Sequence, residues 1–186
     1  MAHVVILGAG IGGVPAAYEL REVLDKEHQV TVVNAADYFQ FVPSNPWLAV
    51  GWRTRDKITV PIGRYLKKHK IDFIAKRVDE IDAPNSALKL EDGETVNYDY
   101  LVICTGPRLA FEEIEGTGPD GGFTQSICTV DHAEKSYEDY KKLVEDPGPV
   151  IVGAAPFASC FGPAYEYAAI LDTVLKRKRI RDQVPI

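Results

Sequence analysis

A strand, a glycine-rich turn and a helix follow one another without interruption near the start of the chain. His3–Leu7 (HVVIL) is a continuous apolar run, typical of a parallel strand that is buried on both faces. Gly8, Gly10 and Gly13 come next in a G-x-G-x-x-G pattern, and a helical pattern continues to Asp25. Another apolar strand follows, and the order strand–turn–helix–strand predicts a parallel sheet. We therefore predict an α/β, Rossmann-like dinucleotide-binding fold.

Each glycine of this phosphate loop has a separate physical role. Gly8 permits the sharp turn, Gly10 lets a pyrophosphate approach the backbone, and Gly13 lets the helix pack closely on the strand. The free N–H groups and positive dipole end of the helix favour an anion. Asn34 stands where an acidic ribose ligand is usual, and it can hydrogen-bond a ribose hydroxyl without charge assistance. The pattern favours nucleotide binding over a purely structural turn and is compatible with FAD.

Short strands alternate with loops and helices through the rest of the chain. Tyr38–Trp52 reads as an irregular apolar loop that packs on its own domain, and Ala110–Gly122 as a linker. A capping-box pattern joins Asp131 and Glu134 at the start of a later helix. The other predicted elements are strands Gln29–Val33, Arg77–Ile81, Ala87–Leu90, Thr95–Tyr98 and Tyr100–Cys104, and helices Thr59–Lys68 and Asp131–Val144. The three central short strands predict a small β-meander.

A second strand–turn–helix pattern runs from Val150 to about Arg179. Its glycine motif is degraded to Gly153, Ala155 and Ala158, and Cys160 lies in the turn. We predict that residues 1–110 are the N-terminal part of a FAD-binding domain. Residues 111–186 would be a linker and the first strand–turn–helix of a second, incomplete dinucleotide-binding-like domain. The chain is therefore expected to be a fragment of a longer flavoprotein.

Composition excludes one class of partner. The net charge is −6 and the pI about 5.2, which argues against a general nucleic-acid binder. The basic cluster Lys176–Arg181 is interpreted as a solvated helix end, with contact to anionic lipid as the alternative. The apolar stretch Val4–Ala17 is too short to span a bilayer, which needs about 20 residues.

Two of the three cysteines lie just before helices. Thiols react as thiolates, and a helix N-terminus favours the thiolate, so Cys128 and Cys160 are candidate reactive groups. An inert buried thiol is the alternative for both. Cys104 lies in an apolar strand and is expected in the core. His132 is a candidate proton carrier near Cys128, although a histidine in a first helical turn is commonly a surface or capping group.

Five segments together resemble the sulfide:quinone oxidoreductase family of FAD enzymes. They are VVILGAGIGG at Val4–Gly13, YFQFVPSNPW at Tyr38–Trp47, YDYLVICTGP at Tyr98–Pro107, SICTVDHAE at Ser126–Glu134 and ASCFGPAYEYA at Ala158–Ala168. The two cysteine-containing segments are the most specific. The resemblance implies FAD contacts at Gly8, Ala9, Gly10, Ile11, Gly12, Asn34, Ala35, Val42, Val78, Thr105, Gly106 and Ala110.

The resemblance also implies a reaction. Cys160 matches one member of a redox disulfide beside the flavin, and the remaining partner lies far downstream. Cys128 matches the third cysteine of the family, which in some members is attached to the flavin and in others assists sulfur handling. Hydrosulfide attacks the disulfide, and electrons pass through FAD to a quinone while sulfur grows into polysulfide. Peripheral contact with the bacterial or archaeal inner or plasma membrane, through a C-terminal part not present here, and a homo-oligomer are further expectations.

Three alternatives stay open. One is the flavin subunit of a flavocytochrome c sulfide dehydrogenase. Another is a different pyridine-nucleotide-disulfide-type flavoprotein such as a type II NADH dehydrogenase, which would need a good glycine loop near Gly153. The third is a non-catalytic nucleotide-binding module, in which Cys160 is dispensable. The 186-residue fragment alone is expected to be inactive and to bind FAD weakly or not at all.

Overall fold

The structure is a computed structural model that describes residues 1–156, 158 and 160–186. It divides into two compact units, one of residues 1–40 and 59–109, the other of residues 41–58 and 110–186. The described strands are β1 His3–Leu7, β2 Gln29–Asn34, β3 Tyr38–Gln40, β4 Thr59–Pro61, β5 Asp72–Ala75, β6 Val78–Asp82, β7 Ala87–Leu90, β8 Thr95–Asn97 and β9 Tyr100–Ile103. The helices are α1 Gly13–Val23, α2 Asn45–Leu48, α3 Arg55–Ile58, α4 Gly63–Lys68, α5 Val130–Glu145 and α6 Gly162–Lys178.

A parallel four-stranded sheet with the order β5-β2-β1-β9 forms the centre of the first unit. β1 lies between β2 and β9 and is covered on both faces, as its apolar sequence predicts. Ile6 packs in a cluster with Ala17 of α1 and Leu66 of α4. Val5 and Leu7 point the other way, into a cluster with β7. The predicted Rossmann-like α/β fold is confirmed.

The predicted meander is also present. β6, β7 and β8 form an antiparallel sheet, and Leu88 of β7 is fully buried. The turn between β7 and β8 contains Gly93 at φ +85°, a left-handed conformation in which glycine is favoured. The Asp92–Gly93 turn signal therefore placed the hairpin correctly.

Two predictions for the first unit differ from the structure. Thr59–Lys68 is not one helix, because Thr59–Pro61 pairs with β3 and only Gly63–Lys68 is helical. The residue before a proline is disfavoured in the α region, so Pro61 keeps Val60 extended. Strand β5 was not predicted; it is four residues long, begins with the charged Asp72, and pairs in parallel with β2.

The second unit is built on α5 and α6, and a segment predicted to be irregular contributes to it. That segment, Tyr38–Trp52, is not irregular throughout: it begins with β3, which belongs to the first unit, and continues in the second unit with a short 3₁₀ turn at Val42–Ser44 and α2. Val50 packs in a cluster with Tyr140 of α5 and Leu171 of α6, so the segment does not pack within residues 1–110 as predicted; its apolar side chains are buried against these two helices of the second unit. No described helix has the length and apolar character needed to cross a bilayer.

The N-terminus of α5 departs from the predicted capping box. Thr129 is the N-cap, with an extended backbone, and its side-chain oxygen accepts a hydrogen bond from the N–H of His132. Asp131 and Glu134 both bind the guanidinium of Arg55 instead, each at 2.7 Å. The predicted apolar face of the helix is correct, since Ala133 and Tyr140 on that face are buried.

The predicted strand at Val150 does not form among the described residues. The N–H of Val150 donates to the carbonyl of Pro185, and no strand is assigned to residues 150–155. A strand requires a neighbour for its ladder, and no strand pairs with this segment in the described part of the chain. α6 begins at Gly162 with Pro163 in its first turn, which its fixed φ favours.

Candidate functional site

The phosphate loop connects β1 to α1, and two of its glycines are sterically required. Gly8 has φ +107°, and a Cβ added there would lie 2.3 Å from the carbonyl oxygen of Cys104. A Cβ added at Gly13 would lie 1.8 Å from the carbonyl oxygen of Gly8. By contrast, nothing lies within 4 Å of a Cβ added at Gly10. The helix thus packs directly on the strand while Gly10 leaves space for a ligand.

The open side of this loop presents donors. Gly10, Ile11 and Gly12 are exposed, and within the described residues no protein acceptor takes their backbone N–H groups. The N–H of Val14 is the first that bonds back, to the carbonyl of Gly10 at 3.1 Å. α1 has 11 residues, so its dipole adds a partial positive charge at the same end. The loop therefore fits the pyrophosphate of a dinucleotide.

Other predicted FAD contacts lie at the same edge of the sheet. The carboxyl ends of parallel strands meet there, which places Asn34 at the end of β2, Ala35 after it, and Thr105 and Gly106 after β9 beside the phosphate loop. Ala35, Thr105 and Gly106 are exposed. Gly106 has φ +72°, and nothing lies within 4 Å of a Cβ added to it. This edge can receive a long ligand.

Four predicted contact residues have other surroundings. Asn34 makes two hydrogen bonds within the protein, to the N–H of Ala9 and to the carbonyl of Ala36. Val78 begins β6 and packs partly buried against the cluster that contains Leu88. Val42 is 43% exposed and belongs to the second unit, as does the half-buried Ala110. These FAD contacts stay predictions.

All three cysteines are free thiols. Cys160 is exposed and lies two residues before α6, although Ser159 beside it is outside the described residues. Cys128 is exposed, and its N–H donates to the hydroxyl of Ser126 at 3.1 Å. Cys104 packs partly buried against the sheet core, as expected. The two exposed thiols are accessible for sulfur chemistry, and the third is a packing group.

His132 is the least exposed of the candidate reactive side chains. Its side chain is 14% exposed, and its ring lies 5.7 Å from the ring of Phe111. Nε2 is 4.0 Å from a carboxylate oxygen of Asp120, whereas Nδ1 is buried without a partner in the described part of the chain. No hydrogen bond joins the ring to Cys128 among the described residues. The proposed proton transfer between them stays a prediction.

A charged pair, Asp120 and Lys135, lies beside this histidine. The ammonium of Lys135 donates a hydrogen bond to the carboxylate of Asp120, and this contact lowers the pKa of the Asp120 carboxyl. A carboxylate facing Nε2 favours the tautomer that carries its proton on Nε2. In this tautomer Nδ1 carries no proton, so it needs no hydrogen-bond acceptor.

The model of the pyridine nucleotide-disulphide oxidoreductase family matches residues 2–179. The chain belongs to this family. Family members are FAD-dependent flavoproteins, which fits the phosphate loop and the donors along the sheet edge.

Two relatives and one solved structure show where in the family the similarity is high. The sulfide-quinone reductase of Aquifex aeolicus is 41% identical over 184 residues, covering 99% of this chain and 42% of that protein. The mitochondrial sulfide:quinone oxidoreductase of Dictyostelium discoideum is 26% identical over 99% of this chain and 41% of its own length. The crystal structure of the Aquifex aeolicus sulfide:quinone oxidoreductase superposes with a TM-score of 0.92 at 40% identity, covering 100% of this chain and 42% of that one. The chain thus spans about two fifths of the length of these relatives.

Sequence reasoning missed one feature of this site. The amide of Asn34 was interpreted only as a ribose ligand, whereas it bonds the phosphate loop itself. An amide in place of the usual acid at the end of β2 is the signal that could have indicated this role, because an amide both accepts and donates whereas an ionised carboxylate only accepts.

Proposed function

We propose that this protein oxidises sulfide and reduces a quinone, with FAD as its cofactor. The observation that carries the proposal is the 41% identity to a sulfide-quinone reductase over 99% of the chain. The phosphate loop and the two exposed thiols supply the two chemical features that such a reaction needs. Residues 1–110 would belong to the FAD-binding domain and residues 111–186 to the second domain.

The proposed roles of the binding residues follow from the sheet edge. The N–H groups of Gly10, Ile11 and Gly12 would hold the pyrophosphate of FAD, and Thr105 and Gly106 would border the rest of the cofactor. When bound, FAD supplies the two-electron redox chemistry that lets thiols reduce a quinone. The protein supplies binding, orientation and the sulfur nucleophiles.

The proposed sulfur step uses Cys160 and a partner cysteine outside this chain. Hydrosulfide attacks the disulfide between them: one S–S bond breaks, one forms, one cysteine becomes a persulfide and the other leaves as a thiolate. Cys160 is exposed, so hydrosulfide can reach it. Cys128 would assist sulfur transfer, and His132 would carry a proton for it. The persulfide and the thiolate must then lose two electrons, with the quinone as the terminal oxidant, and one proton to re-form a sulfur bridge; repetition of this cycle would lengthen the sulfur chain into polysulfide.

Quinones are dissolved in membranes, so the proposed reaction requires membrane contact. We infer peripheral attachment to the inner or plasma membrane of a bacterium or archaeon. Co-sedimentation with vesicles of anionic phospholipid tests this attachment, and light scattering tests the expected homo-oligomer. Protein that stays entirely in the supernatant would contradict the membrane assignment.

The deciding experiment measures sulfide-dependent reduction of a soluble quinone by the full-length protein, because the 186-residue chain alone is expected to be inactive. Cys160→Ser should abolish turnover, because an alcohol cannot form a persulfide or disulfide. Cys104→Ala is the matched control: it also removes one thiol, but from the core, and turnover should stay within about twofold of the wild type. Unchanged turnover in Cys160→Ser would refute the proposed mechanism. Quinone reduction with NADH but not with sulfide would instead favour a type II NADH dehydrogenase.

A further inference from the structure

The side chain of Asn34 connects the phosphate loop to the turn after β2. Its Oδ1 accepts a hydrogen bond from the N–H of Ala9 at 2.9 Å, and its Nδ2 donates to the carbonyl of Ala36 at 2.8 Å. Ala9 is 3% exposed, so water does not readily replace this contact. We call this pair of hydrogen bonds the Asn34 bridge.

The chemistry of the two partners determines which side chain can form the bridge. The backbone of Ala9 offers only a donor here, and the carbonyl of Ala36 offers only an acceptor. A carboxamide has one group of each kind, so its orientation is fixed by the partners. A carboxylate has two acceptors, and its second oxygen would face the carbonyl of Ala36 without a proton between them. Asparagine is therefore matched to this position and aspartate is not.

The bridge holds the backbone of Ala9, the second residue of the phosphate loop. Ala9 lies between Gly8, whose N–H continues the ladder to the carbonyl of Val33 at 2.8 Å, and Gly10, where space for a ligand begins. Fixing the peptide of Ala9 limits the rotation of the following amides. These are the donors that face the ligand.

We propose that Asn34 is a positioning residue that holds the phosphate loop in its binding conformation, and that it does not serve as the ribose ligand usual at this place. The inference rests on the proposed function, because it assumes that the loop binds the diphosphate of FAD. It assigns the side chain to a role within the protein, since the amide already accepts from the N–H of Ala9 and donates to the carbonyl of Ala36, and these two bonds fix its orientation.

The first test needs no nucleotide. Hydrogen exchange of the Ala9 amide is followed by NMR in the wild type, in Asn34→Ala and in Asn97→Ala, which removes an exposed amide at the end of β8. Loss of the bridge should accelerate exchange at Ala9 about fivefold, the factor that corresponds to a lost hydrogen bond of about 1 kcal/mol. Asn97→Ala should leave it unchanged. Equal exchange at Ala9 in the wild type and Asn34→Ala would overturn the bridge.

The second test separates loop positioning from ribose recognition. ADP and deoxyadenosine diphosphate, which lacks one ribose hydroxyl, are titrated calorimetrically into the full-length protein freed of flavin, as the wild type and as Asn34→Ala. Positioning predicts that both ligands bind about five- to tenfold more weakly, with the ratio of their dissociation constants unchanged. A ratio that falls to about one only in the variant would show that Asn34 holds the ribose, and would refute the inference. Absence of ADP binding in the wild type would refute nucleotide binding itself, and exchange at Ala9 would then decide alone whether the bridge exists.

Discussion

Gly13→Ala should destabilise the chain far more than the same substitution one residue earlier. A Cβ at Gly13 would lie 1.8 Å from the carbonyl oxygen of Gly8 and 3.3 Å from the Cβ of Cys104. At Gly12 the nearest atom would be the Cys104 sulfur at 3.8 Å, an ordinary van der Waals distance. Neither glycine has a positive φ, so backbone strain does not separate the two variants.

The expected magnitudes follow from these distances. Real Cβ contacts essentially never fall below 3.0 Å, so α1 in Gly13→Ala must move away from β1 by more than an ångström. Overpacking of this kind typically costs about 1–3 kcal/mol and occasionally more, and a backbone clash with no flexible neighbour belongs at the upper end. Gly12→Ala loses no contact and reduces the entropy of the unfolded chain, so its stability should change by less than about 1 kcal/mol, in the stabilising direction.

Urea unfolding followed by circular dichroism measures both free energies under the same conditions. The reasoning predicts a difference of about 3 kcal/mol or more between the two variants. Free energies of unfolding that agree within about 0.5 kcal/mol would mean that helix and strand do not approach as closely as the loop geometry requires. The close packing attributed to the third glycine would then be wrong.

Three further predictions concern the second unit. Thr129→Ala should lower the free energy of unfolding by about 1 kcal/mol because the N–H of His132 loses its cap, whereas Thr129→Ser should retain most of it, as urea unfolding would show. Hydrogen bonding to Lys176 lowers the pKa of Asp172 below 3.8, so the stability that this carboxylate contributes is present above that value and is lost as the pH falls below it. Asp172→Asn should flatten the acid limb of a plot of the free energy of unfolding against pH, and an unchanged limb would contradict this. Burial raises the pKa of Tyr167 to about 12, so the free energy of unfolding should fall as the pH rises from about 10 to 12. Tyr167→Phe should remove that loss in alkaline unfolding curves, and the phenolate absorbance should lose its last titration step.

The elements that could be predicted from sequence are those in which one local signal dominates. β1 is apolar at every position because both of its faces are covered, and the glycines after it leave few conformations for the turn. The β7–β8 hairpin was predictable because Asp92 and Gly93 likewise leave few conformations for the turn between the two strands. The apolar face of α5 repeats with helical spacing, so its buried residues were also predictable.

The elements that could not be predicted depend on partners distant in the sequence. β5 has no periodic pattern over its four residues, and it is a strand because β2 offers it a ladder. The reverse holds at Val150, where an apolar run has no neighbouring strand to pair with in the described part of the chain. Glu134 fitted a capping motif locally, but the guanidinium of Arg55 offered it a charged partner.

The candidate site shows the same division. Spacing alone identified the phosphate loop and the positions of Cys128 and Cys160 before helices. It did not reveal that the amide of Asn34 is already engaged by the protein, because the partner, Ala9, is contributed by a different strand–helix connection. Side-chain roles that depend on tertiary hydrogen bonds are not visible in sequence spacing.

Strand β1 contributes Ile6 to one apolar cluster and Val5 and Leu7 to another, on opposite sides of the same ribbon. The helices and the meander therefore pack on opposite faces of β1. Neither layer can unfold without exposing the strand on which the other layer packs. The first unit is expected to lose its helices and its meander in a single transition, with the amides of β1 the last to exchange with solvent. A nucleotide held at the end of β1 would consequently report on the integrity of both layers at once.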